Sequence, residues 1–164
     1  MTRRGESRHA SPGPRQQLDG FIDKYTPNVA ALAQQVLIKM RQRLPGAIEL
    51  VYDNYNALAI GFGPTERASD AIFSIALFPR WVSLYFLHGA DLPDPQKVLK
   101  GTGRQARHIV LEVASDLDRP PVRKLMECGL ASAAKPLDRT SRRRIVIKSI
   151  SKKQRPRRPG PAKD

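Results

Sequence analysis

The sequence predicts an α+β domain in which helices pack on one side of a mainly antiparallel sheet of five to six strands. Three observations predict it. The opening of the chain carries apolar residues at helical spacing, the middle switches to short apolar runs divided by turn residues, and a third helical segment precedes one last strand-like run.

Leu18, Phe21, Ile22 and Tyr25 fall on one helical face, and Thr26-Pro27 then offers an N-cap followed by a proline at the first helical position. The helix starting there presents Val29, Leu32, Val36, Met40 and Leu44, and Pro45-Gly46 stops it. Strands are expected at 48–52 and 57–62, joined by Asp53-Asn54-Tyr55-Asn56. Residues 71–78 and 81–87 follow as a hairpin, and 109–113 as a fifth strand. The stretch 71–87 is nearly long enough to span a bilayer, yet Pro79-Arg80 sits at its centre. An arginine there costs about 2.5–3.5 kcal/mol on insertion, whereas Pro-Arg is good turn chemistry, so the hairpin is expected.

Asp118, with Ser115 and Asp116 as alternatives, is expected to cap a third helix that has Pro120-Pro121 in its first turn. That helix buries Val122, Leu125, Met126 and Leu130 and ends near Ala134, ahead of Pro136. Ile145, Ile147 and Ile150 within 144–151 read as a sixth, edge strand flanked by Arg and Lys.

With 164 residues, 40% hydrophobic and 27% charged, the chain has the size and composition of one globular domain. Its net charge of +14 is unevenly placed. Residues 15–138 hold 15 basic and 13 acidic side chains, whereas 139–164 hold 11 basic and one acidic. A domain at 15–151 is therefore expected between disordered basic tails at 1–14 and 152–164. Cys128 is the only cysteine, which excludes an intrachain disulfide and a Cys-based zinc site. No apolar leader follows Arg3-Arg4, so a cytoplasmic protein without a membrane partner is expected.

Local stretches of the chain resemble a known family. They are the opening helices, the strands around Asp53-Asn54-Tyr55, Leu84-Tyr85-Phe86, the run from Leu99-Lys100-Gly101-Thr102-Gly103-Arg104 through Arg107-His108-Ile109, and the ending Ile147-Lys148-Ser149-Ile150-Ser151. Across most of 18–158 they look like the YdhG-like domains of unknown function found in bacteria. The resemblance implies a compact α+β fold. Some members are labelled iron chaperones by likeness to frataxin, which would make a metal carrier the alternative function.

Three groups of residues are candidate sites. Lys100, Gly101, Thr102, Gly103, Arg104 and Arg107 can aim backbone N–H groups and cations at a small anion, phosphate or carboxylate, bound as a ligand or as a substrate. The run lacks a P-loop ending, and a glycine turn leading into a strand is the plainer reading. Tyr52, Asn54, Trp81 and Tyr85 can line a ligand surface, with Trp81 and Tyr85 expected on the more polar face of their strand. Arg142, Arg143, Arg144, Lys152, Lys153, Arg155, Arg157 and Arg158 can contact the phosphates of nucleic acid. No catalytic residue, metal ligand or cofactor is indicated: no nucleophile motif surrounds a serine, Cys128 lies mid-helix among apolar neighbours, and the few carboxylates are poorly grouped for hard iron. The sequence thus reads as a binding module whose basic C-terminal arm meets a polyanion such as nucleic acid.

Overall fold

A computed structural model describes residues 11–161 of the chain. Helix α1 (Pro14–Ile22) leads to α2 (Pro27–Arg43), where Thr26 Oγ1 accepts the Val29 N–H at 3.4 Å and caps the helix as its sequence requires. Strands β1 (Ile48–Asp53), β2 (Leu58–Gly63), β3 (Phe73–Leu77), β4 (Val82–Phe86) and β5 (Arg107–Leu111) follow, then α3 (Pro120–Ser132) and β6 (Ile145–Ile150). Among the described residues no helix is long and apolar enough to cross a membrane, and 71–87 forms the β3–β4 hairpin.

The sheet runs β5-β4-β3-β2-β1-β6. Every neighbouring pair is antiparallel except β1 and β6, which run in parallel. The parallel pair follows from the connection. The chain leaves β5 at one edge and returns at the other through α3, and such a crossover can deliver a strand in the direction of its neighbour. As expected, β6 lies at an edge.

Residues opposite each other in the register share a face. Val51, Ile60, Ile75, Leu84 and Ile109 form one cross-strand row, and they join Leu18, Leu37, Met40, Val122 and Leu125 of the helices in a single core. The alternate rows, Tyr52-Ala59-Ala76-Ser83-Val110 and Leu50-Gly61-Ser74-Tyr85-His108, lie on the other face. Among the described residues the three α-helices pack on the first face and none on this one, although Leu50, Ala76 and Ser83 of this face are buried. The β2–β3 connection covers one end of it, with Ala71 against Gly61 and Gly63, where a larger residue in place of Gly63 would collide with the Ala71 backbone.

Two expectations change in the structure. Asp118 does not cap α3: Arg119 is the N-cap, without a side-chain bond, while α3 ends at Ser132 with Ala133 as its C-cap, close to the expected end near Ala134. With prolines in the first turn, fewer N–H groups need a cap. Asp118 instead binds α2, accepting from Lys39 Nζ at 2.6 Å and Arg43 Nη2 at 2.7 Å. The other change is at the C-terminal boundary. Beyond β6 the chain stays on the fold, with the Ser151 N–H donating to Asp53 O and the Arg155 N–H to Tyr55 O, both at 2.9 Å. Most of the expected N-terminal tail, and residues 162–164, lie outside the described residues.

Candidate functional site

The basic residues assigned to nucleic acid separate into two sets. Arg157 belongs to the fold: it is buried, its Nη2 donates to Asp53 Oδ1 at 2.9 Å, and its guanidinium lies 5.8 Å from the Tyr25 ring centroid. Arg158 Nε donates to the Lys24 carbonyl at 3.2 Å, and the Arg155 guanidinium lies 5.9 Å from the Tyr55 ring centroid. The reason is a buried carboxylate. Alternation places Glu49, Val51 and Asp53 on the core face of β1, and Asp53 is fully enclosed, so cations must come to it. Lys24 Nζ takes its other oxygen at 2.8 Å. Burial pushes the Asp53 carboxyl up, but hydrogen bonds from Lys24, Gln154 and Arg157 outweigh this and hold it below the usual value.

The second set meets at the corner of α1, α2 and β6. Arg143 and Arg144 line a cleft of about 470 Å³ together with Arg15, Arg41, Glu49 and Ile145. Four arginines and one carboxylate line it, and Arg15 also pairs with half-exposed Asp19 one turn along α1 at 3.7 Å. Glu49 is already engaged, since Arg41 holds both its oxygens, Nε at 2.9 Å and Nη2 at 2.8 Å. Arg143 donates to the Arg41 carbonyl, which turns its guanidinium along the cleft wall. Arg144 pairs at 2.6 Å with Glu66, but both side chains are about half exposed, where an ion pair contributes little. The first turn of α1, at the rim, has neither an acidic residue nor a side-chain cap. Positive charge therefore exceeds local negative charge around an open space, which suits an anion. Arg142, Lys152 and Lys153 are exposed on either side of β6.

The glycine segment forms a turn. Lys100 and His108 exchange backbone hydrogen bonds at 2.8 and 2.9 Å, closing a loop in which Gly101 has φ +116°. Arg107 Nη1 donates to the carbonyls of Gly103 and Ala106, which occupies the guanidinium most able to hold an anion there. Lys100, Thr102 and Arg104 are exposed.

Tyr52 and Tyr85 lie on the helix-free face, Trp81 just before β4 continues the alternation of Ser83 and Tyr85, and Asn54, just beyond β1, binds Ser149 Oγ through its Oδ1 at 3.1 Å. Phe78 stacks on Trp81 with centroids 5.0 Å apart, and His108 lies 5.2 Å from Tyr85. The hydroxyls of Tyr52 and Ser83 are buried without a hydrogen-bond partner. Burial also holds the Tyr52 phenol above its usual pKa.

Arg15, Arg41 and Glu49 escaped the sequence reading as site residues. One signal was present: Glu49 stands between Ile48 and Leu50 in an otherwise apolar strand, and a buried glutamate requires a cation. Among the described residues no three His, Cys, Asp or Glu side chains converge as metal ligands would. No family model, curated protein or solved structure matches this chain.

Proposed function

We propose that the protein is a binding module for polyanions, nucleic acid in particular, that grips phosphates at the arginine cleft between α1, α2 and β6. The observation that carries the reading is the meeting of Arg15, Arg41, Arg143 and Arg144 around a carboxylate that Arg41 already satisfies. Arg142, Lys152 and Lys153 extend the positive surface along β6. Guanidinium groups suit phosphate because their planar donors match two oxygens at once. The YdhG-like resemblance remains part of this proposal; its quoted stretches fall on the β1–β2 connection, β4, the Lys100–His108 turn and β6.

The test is a salt series. Each phosphate contact contributes roughly 0.7–0.9 to the slope of log affinity against log salt. The combined variant Arg15→Ala/Arg143→Ala/Arg144→Ala should lower the slope by about 2–3 for heparin and oligonucleotides alike. Wild-type affinity that ignores salt, or an unchanged slope in the folded variant, refutes the reading. Arg41 stays unaltered because its removal would leave Glu49 buried and unpaired.

A further inference from the structure

The helix-free sheet face combines aromatic rings, a floor of small residues and basic edges, and the arginine cleft uses none of the rings. We propose that this face takes the bases of single-stranded nucleic acid, stacked on Trp81 and Tyr85, while the cleft and the sheet edges hold the phosphates. The proposal rests on the polyanion reading.

Trp81 is 42% exposed, a large fraction for an indole in a folded domain. Phe78 supports it in a stacked arrangement, which holds the ring in place. His108 lies against Tyr85 in a tilted arrangement. Rings already fixed lose little freedom when a base stacks on them. Between these rings and Tyr52 the sheet carries the small residues Ala59, Ala76 and Ser83, of which Ala76 and Ser83 are buried. Strand spacing puts Tyr52 on β1 about 14 Å from the β4 aromatics, and Trp81 about 13 Å from Tyr85 along that strand.

Charge selects the occupant. Lys100 is bonded beside His108 at the β5 edge, exposed Arg80 stands at the tip of the β3–β4 hairpin, and Lys148 extends from β6 to the Glu66 carbonyl. Arg144 lines the cleft and also reaches Glu66, whose connection borders the face, so cleft and face meet at β6. Of the nearby carboxylates, Glu66 is engaged by Arg144 and Asp70 by Lys135, while Glu112, one residue past β5, continues the register opposite Trp81. Single strands present ring faces for stacking, whereas a duplex hides them and offers only edges. A second copy of a chain of net charge +14 is a poor occupant, because like charges would face each other across the interface.

Trp81 is the only tryptophan, so its emission reports on this face alone. The full-length protein is titrated with oligothymidylate, with a duplex of equal length and with heparin, a polyanion without bases. Oligothymidylate should quench Trp81 emission, while heparin and duplex bind without quenching. Trp81→Ala and Tyr85→Leu should each weaken oligothymidylate binding about tenfold and leave heparin affinity unchanged. Trp81→Phe, which keeps a ring, should retain most of the affinity, and thermal melts establish that each variant folds. If oligothymidylate binds wild type without quenching and binds Trp81→Ala equally well, the face is not used and only the polyanion reading survives. Failure of heparin and both nucleic acids to bind overturns the two readings together. A wild-type dimer in sedimentation that Trp81→Ala makes monomeric assigns the face to a second copy and overturns the base platform.

Discussion

Arg157 and Asp53, separated by most of the chain, form a buried ion pair at 2.9 Å that fastens the segment after β6 to the end of β1. Tyr25 lies beneath the guanidinium, and its hydroxyl both donates to Leu77 O at 3.0 Å and accepts the Leu58 N–H at 3.1 Å. One cluster thus joins the end of α1, three strands and the C-terminal segment.

Removing Arg157 should therefore act on stability. Breaking a buried ion pair from one side costs about 3–5 kcal/mol, and the lower end is expected because Lys24 still serves Asp53. Urea unfolding of Arg157→Ala, compared with the exposed Arg158→Ala, measures this. A chain ending at Ser151 should lose a similar amount. Equal midpoints for all of them would show that the segment is not part of the cooperative fold.

Acid should weaken the same contact. The Asp53 carboxyl is held below its unfolded value, so the unfolded chain takes up the proton first. The stabilisation is present above about pH 4 and is lost as pH falls through the folded-state value. Asp70, Asp118 and Asp138 are lowered too, so the comparison must isolate Asp53. The gap in unfolding free energy between wild type and Asp53→Asn should narrow between about pH 5 and pH 2. A gap that does not vary with pH contradicts this.

The Arg41–Glu49 pair should show the asymmetry of buried charges. Glu49→Ala leaves an unpaired guanidinium in the core and should cost about 3–5 kcal/mol. The double variant Arg41→Met/Glu49→Leu removes both charges and should recover most of the loss. Denaturant melts of wild type and the two variants decide it, and a double variant no more stable than Glu49→Ala would contradict it.

Two glycines should respond in opposite directions to alanine. Gly46 has φ +82°, and a Cβ there would run into the Asp138 carbonyl, so Gly46→Ala should destabilise by about 2 kcal/mol. Gly20 lies within α1 with open space around it, so Gly20→Ala should stabilise by about 0.5–1 kcal/mol. Thermal melts giving the same sign for both would refute the assigned backbone geometry.

Periodicity by itself determined the helices, the hairpin at Pro79-Arg80 and the edge position of β6, because those depend on residues close in sequence. It also put Trp81 and Tyr85 on the same side of β4, since side chains alternate along any strand. Which side faces the helices, and which charges meet, depended on distant partners. Asp53 read as a turn residue and Arg157 as one cation of a tail, and only the return of the chain to the β1 edge brings them together. In the same way Asp118, beside a helix start, read as a cap until α2 presented Lys39 and Arg43 to it. The cleft joins Arg15 and Arg41 to Arg143 and Arg144 because the crossover through α3 lays β6 beside β1. A charge pattern states how many cations a segment carries; burial and long-range pairing decide which of them fold the chain and which face a ligand.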